Sequence, residues 1–149
     1  MKRNTLLVLF LFGLSISGFA QKTKNETTSC TALPCVVATV SLANQSTSAT
    51  QVPLYTPPVD GTFRISVYMT TSADDNNDAY WVALFGWTDE LATRNNWSIY
   101  IHQSNYVGQS IVANDLAGKP LAYSVRPHAG GIGGSNMTYN LTIVVEQLR

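Results

Sequence analysis

The run Asp74-Asp75-Asn76-Asn77-Asp78 sets five oxygen-bearing side chains in a row, the hard donors that calcium prefers. Asp74, Asn76 and Asp78 match the first three ligand positions of an EF-hand loop. Ala79 then stands where that loop needs a glycine for its sharp turn, and Phe85 where it needs a bidentate glutamate. What survives is a calcium site of some other geometry, set against a solvated hairpin tip built from Asx-turn formers, which is the simpler reading. Asp89 and Glu90 are the next pair of carboxylates. Glycosidase chemistry needs two carboxyls about 5 to 9.5 Å apart facing one substrate. Neighbours on extended backbone point to opposite sides, so a solvated turn before Arg94 and Asn95 is expected instead. His102 and His128 are the only histidines, too few for a three-ligand zinc site without carboxylate help. No G-x-S-x-G elbow accompanies them. The Gly130-Gly131-Ile132-Gly133-Gly134 segment lacks the G-x-G-x-x-G order and any Lys-Ser/Thr ending that a phosphate cradle requires. The sequence therefore offers no catalytic residues, no metal ligands and no cofactor site.

The aromatic residues are more suggestive. On an extended strand Trp81, Phe85 and Trp87 share one side, opposite Tyr80, Val82 and Leu84. A strand apolar on both sides meets the core with one of them. The other must meet loops, a ligand such as a sugar ring, or another subunit, and a subunit contact asks for the least special chemistry. Trp81, Phe85, Trp87 and Trp97 are the candidate ligand or subunit contacts.

The chain that must position these residues begins with the marks of an export signal. Lys2 and Arg3 precede the apolar run Leu6 to Leu14, and small residues lead to a cleavage position after Ala20. The run falls well short of the roughly 20 residues of a spanning helix, and no second one follows, so no membrane span is expected. Removal of residues 1–20 leaves about 129 residues, enough for one domain with its own core. Lys2 and Arg3 leave with the signal, so seven basic residues remain against nine acidic ones. That balance gives no reason to expect nucleic acid or an anionic membrane as partner. Cys30 and Cys35 are the only cysteines. In an oxidising, extracellular or periplasmic compartment they are expected to form a local disulfide that pins the N-terminal arm without holding up the core. Five N-x-S/T sequons, at Asn25, Asn44, Asn96, Asn136 and Asn140, bear only on a eukaryotic secretory route.

Beyond the polar arm 21–35, two-residue alternation replaces any helical period. Phe63, Ile65, Val67 and Met69 interleave with Arg64, Ser66, Tyr68 and Thr70, and Tyr139, Leu141, Ile143 and Val145 with Asn140, Thr142, Val144 and Glu146. Further strands are predicted at Val36–Ala43, Gln51–Tyr55, Tyr80–Trp87, Trp97–His102, Tyr106–Val112 and Leu121–Arg126, separated by Gly-, Pro- and Asx-rich turns. About eight short strands over 36–149 predict an all-β domain, a two-sheet antiparallel sandwich of jelly-roll kind. The Cys…Trp…Cys pattern of an immunoglobulin sandwich is absent.

The segment Leu54 to Tyr68, with Pro57-Pro58-Val59-Asp60-Gly61-Thr62-Phe63 at its centre, resembles the opening of C1q/TNF-like jelly rolls. Together with Phe85 to Glu90 and Tyr139 to Leu148 it is also similar to short uncharacterised secreted bacterial or phage-associated β proteins. The first resemblance implies a compact trimer used for binding, although no collagen-like stalk or C-terminal aromatic-Ser-Gly-aromatic pattern is present. The second implies no activity. The leading expectation is thus a secreted, non-enzymatic homo-oligomeric module for binding or surface structure. Its alternatives are a carbohydrate-binding module, with a glycan or surface polymer stacked on exposed Trp residues, and a secreted hydrolase with a site near Asp89, His102 or His128.

Overall fold

A computed structural model describes residues 23–24, 30, 32–73, 80–102, 105–128 and 136–149, and places the side chains of all but Thr23, Lys24, Asn95 and Asn96. The export segment 1–20, the acidic run 74–78 and the glycine-rich segment 130–134 lie outside the described residues. Those residues form nine strands: β1 (Thr23–Lys24), β2 (Cys35–Gln45), β3 (Ala49–Tyr55), β4 (Gly61–Ala73), β5 (Tyr80–Thr88), β6 (Thr93–His102), β7 (Tyr106–Asp115), β8 (Leu121–Pro127) and β9 (Thr138–Gln147). No helix among the described residues is long and apolar enough to cross a membrane.

The strands make two antiparallel sheets, a large one in the order β1-β2-β9-β4-β7 and a small one in the order β3-β8-β5-β6. The pairs β2/β9, β4/β7, β3/β8 and β5/β6 show the plan: one long eight-stranded hairpin rolled up so that successive pieces fall in opposite sheets. That is the jelly-roll arrangement, and it bears out the expected all-β fold class. The short β1, which adds to the outer side of β2 through Thr39 and Val40, lies outside the eight-strand plan and falls in the polar arm.

Period-two alternation decides which side chains meet between the sheets. Phe63, Ile65, Val67 and Met69 of β4 and Tyr139, Leu141, Ile143 and Val145 of β9 are buried, and their odd-even partners face solvent. They meet Trp81, Ala83, Phe85 and Trp87 of β5 and Leu121, Tyr123 and Val125 of β8 in one continuous core. Each buried aliphatic or aromatic side chain contributes about 1.5–3 kcal/mol.

Two bulges flank the β2–β3 turn and share one construction. Between Leu42 and Gln45, and again between Ala49 and Val52, one extra residue enters the ladder. Asn44 and Gln51 take positive φ there, 52° and 45°, and each has its N–H claimed from the facing strand, by Asn140 Oδ1 and Ser124 Oγ respectively, at 2.9 Å. The bulges bend the chain from the large sheet into the small one without leaving a stranded donor. Gly61, which opens β4, is required by packing: a Cβ there would lie 2.9 Å from the Phe63 ring. Cys30 and Cys35 are disulfide-bonded, with Cα atoms 6.0 Å apart, and tie the arm to the first residue of β2.

Adjacent substitutions on β9 will differ sharply in urea denaturation, because Leu141 faces the core and Thr142 the solvent. Leu141→Ala should cost about 2–5 kcal/mol. Thr142→Ala, one residue along but on the solvent side, should stay within about 0.5 kcal/mol of the parent.

Candidate functional site

The aromatic strand β5 is where the sequence pointed, and the structure inverts the expected roles of its two faces. Trp81, Phe85 and Trp87 are turned inward and buried, Trp81 to 3% exposure. The Trp81 indole donates Nε1–H to Met137 O at 3.0 Å and lies 4.8 Å from the Tyr139 ring, so it ties the small sheet to the large one. The Tyr139 hydroxyl in turn donates to Thr47 O, and burial, with Tyr123 beside it, pushes its pKa up to about 12. Phe85 packs against Trp97, its opposite number on β6, which is half-buried beside the core. Trp81, Phe85 and Trp87 therefore present nothing to a ligand or a second subunit, and the row of exposed tryptophans that a glycan platform requires is not there. The reason is physical. Two packed sheets stand about 10 Å apart, and the bulkier of two apolar faces fills that space better.

The face left outside carries Tyr80, Val82 and Leu84. Its cross-strand neighbours on β6 are His102, Tyr100 and Ser98, and on β8 Arg126 lies opposite Val82 and Ser124 opposite Leu84. Tyr80 is the hub of a ring cluster. The His128 backbone N–H donates to Tyr80 O at 2.9 Å, which stacks the imidazole on the Tyr80 ring at 4.2 Å and 20°. Tyr100 meets the same ring edge-on at 6.2 Å, and His102 lies 6.0 Å away. The sequence singled out both histidines separately, and the structure joins them through a tyrosine it passed over. Tyr100, on the edge strand of the small sheet, is 66% exposed.

Asp89 belongs to the opposite end of β5, about 30 Å from Tyr80 along nine residues of extended chain. It is a turn clasp. Oδ1 accepts from Leu91 N and Ala92 N at 2.9 Å, and Oδ2 accepts from Arg94 Nε at 2.8 Å. The Arg94 hydrogen bond and the Ala92 N–H hold its carboxyl down at about 2. Asp89 thus shares no site with His102 or His128.

A cleft of about 350 Å³ opens at the same end, lined among others by Asp60, Asp89, Glu90, Asn114 and Asp115. No three His, Cys, Asp or Glu side chains among the described residues converge closely enough to hold a metal ion. Asp115 is the residue of interest, the one buried charged side chain among those described, at 1% exposure, and sequence reading missed it. Its Oδ1 accepts from Thr88 N at 2.8 Å while Leu116 N donates to Thr88 O at 2.9 Å, a two-bond clasp between the ends of β7 and β5. Oδ2 has no hydrogen-bond partner among the described residues. Burial raises the carboxyl pKa, and the Thr88 and Leu116 amides offset part of that rise.

Fold and surface together define a jelly-roll sandwich with a closed aromatic core and an aromatic outer face. No family model matches the chain, and no curated protein does. Among solved structures it is similar to a chain of the Bacillus endospore appendages, described as disulfide-linked pili, at 9% identity and a TM-score of 0.42. That match covers 84% of this chain and 99% of the other. It is also similar to Eiger TNF from S. frugiperda, at 18% identity and a TM-score of 0.34, over 66% of this chain and 64% of that one. The second belongs to the family that Leu54–Tyr68 resembles. Neither likeness bears on what this chain binds.

Asp115 and Asp89 should act on stability with opposite signs. A raised carboxyl pKa gives stability that is complete below the unfolded value near 3.9 and is lost as pH rises through the folded value. The stability of Asp115→Asn relative to the parent should therefore increase from about pH 3 to pH 7. A lowered pKa gives stability that is complete above the unfolded value and lost as pH falls through about 2. Asp89→Asn should be the less stable protein at neutral pH, with the deficit closing in acid. Urea unfolding across the pH range checks both slopes.

Proposed function

We propose that the mature chain is a secreted, non-enzymatic module that associates with copies of itself and so contributes to extracellular binding or surface structure. The observation that carries this reading is the ring cluster on the outer face of the small sheet. Tyr80, Tyr100, His102 and His128 stand together with Val82 and Leu84, and Arg126 is the one charged residue facing outward there among the described side chains of β5, β6 and β8. Tyrosine suits such a contact because its ring is apolar and its hydroxyl can stay hydrated or find a partner.

A second copy of the chain is the occupant this face suits. The protein is close to neutral, so copies approach without net repulsion, and a face with so little charge has little to select an ionic ligand. The Cys30–Cys35 disulfide supports an oxidising setting outside the cytoplasm. The C1q/TNF-like segment makes a trimer the first oligomer to test. Asp89, His102 and His128, the residues a hydrolase would have used, are divided between a turn clasp and a surface stack, which favours the non-enzymatic reading.

Sedimentation velocity from dilute to concentrated protein tests it. The parent should associate, and Tyr80→Ser combined with Tyr100→Ser should weaken association by about tenfold or more. Both residues lie outside the core, so the melting temperature should change little. A parent that remains monomeric at its highest soluble concentration removes the proposal.

A further inference from the structure

We infer that β7 is a second contact of a different kind: two copies of this chain join their β7 strands antiparallel about a two-fold axis, so that the large sheet of one continues into the large sheet of the other. This goes beyond the ring face and shares with it only the premise of self-association.

The four sheet edges are not equally defended. The outer side of β2 carries β1. β3 is bent by two register shifts, holds Gln51 at positive φ, and has Pro53 exposed within it. β6 carries Arg94 and shifts register against β5 between Phe85 and Trp87. β7 has none of these devices. It pairs with β4 through ten consecutive residues, Tyr106 to Asp115, without a shift, and contains no Pro, Lys, Arg or Glu. Its one charge, Asp115, is buried at the far end. A long, regular, uncharged edge is a template for another strand, and natural proteins normally blunt it.

One hydrogen bond fixes which backbone groups face the open side. Thr71 N donates to Asn105 O at 3.1 Å, which makes Thr71 and Asn105 a hydrogen-bonded pair. Pairs alternate along an antiparallel ladder, so Val107, Gln109, Ile111 and Ala113 bond to β4. The amides and carbonyls of Tyr106, Gly108, Ser110, Val112 and Asn114 then point away from it. Tyr106 N–H is taken by Asn105 Oδ1 at 2.8 Å. The N–H groups of Gly108, Ser110, Val112 and Asn114 find no partner among the described residues. Nothing among the described elements covers them. Gln109 faces the space between the sheets and is still exposed, and a cleft of about 220 Å³ lined by Ile99, Ile101, Tyr106 and Val107 lies open between β6 and β7.

A second β7 fits this edge. Centred on Ser110, an antiparallel ladder sets Gly108 against Val112 of the partner subunit and Tyr106 against Asn114 of the partner subunit. The two Asp115 carboxylates then lie at opposite ends of the seam, whereas parallel pairing would bring like charges side by side. Val112, 57% exposed in the single chain, is covered in the pair.

Ser110→Cys tests the seam in the full mature chain, since Cys30 and Cys35 are bonded to each other and the new thiol is the one free thiol. At the two-fold centre the Cα atoms stand about 5.5 Å apart, within disulfide range. Mild oxidation should give a covalent dimer, while Thr142→Cys, exposed on the flat of the large sheet, should not. Val112→Pro removes an outward N–H and leaves the β4 ladder intact. It should weaken association by about tenfold or more. Val112→Lys, at an exposed position that cannot unfold the domain, should do the same. An associating parent whose Ser110→Cys form gives no dimer, and whose association survives both Val112 variants, overturns the seam and leaves the ring face standing. A parent that never associates overturns both.

Discussion

Each sheet of a two-layer sandwich can turn only one face toward the other, and β5 is apolar on both. That constraint organises the molecule. The face with the larger side chains goes in, where Trp81 reaches Met137 O and the Tyr139 ring and Phe85 meets Trp97. The smaller face, Tyr80, Val82 and Leu84, is left outside with no covering element among those described. Burial is unequal even there: Val82 is only 8% exposed, flanked across the strands by Tyr100 and Arg126. Long side chains on adjacent strands thus shelter part of the strip and leave their own rings at the surface.

Several polar groups between and around the sheets are matched within the chain. The bulges place Asn44 and Gln51 so that a side chain from the neighbouring strand receives each freed amide, and Tyr139 spends its hydroxyl on Thr47. On the outer face of the large sheet, Ser66 bonds Ser110, Asn140 bonds Thr70, Thr62 bonds Asn114, and Arg64 pairs with Glu146. The Arg64–Glu146 pair is only partly buried and adds little stability. Its effect, with the hydroxyl bonds around it, is to leave that face wet and satisfied. Among the described buried side-chain atoms Asp115 stands apart, a carboxylate with one oxygen unmatched by any described residue and the other clasping Thr88.

Much of this was legible from residue order. Period-two alternation together with the turn residues between the runs located the eight jelly-roll strands, because a half-buried strand must alternate and Gly, Pro and Asx residues mark where it stops. That Cys30 and Cys35 are the only cysteines of a chain with an export signal was enough to expect their pairing. Orientation was not legible for β5, since alternation between two apolar sets says that the faces differ without saying which one meets the other sheet. The meeting of His102 and His128 at Tyr80 was hidden for a related reason: it requires knowing that β6 and β8 flank β5 on either side. Asp115 was readable in principle. Ile111, Ala113 and Asp115 are in phase, so the alternation that buries Ala113 also buries the acid two residues on.

The distribution of edge defences carries the last step. A chain with a charged fraction of only 12% has few lysines and glutamates to place as guards, so its edges must be blunted by geometry or left open. At β3 the bulges that steer the chain between sheets also spoil the edge, and at β2 the arm covers it. At β7 neither applies, because the strand must run straight for ten residues to complete the ladder with β4 before Asp115 closes the end of the sandwich. The regularity that finishes the core on that side is the same regularity that leaves four amides facing out. An edge of this kind is a template for a strand of matching regularity, and a second β7 is the strand in this chain that matches it residue for residue.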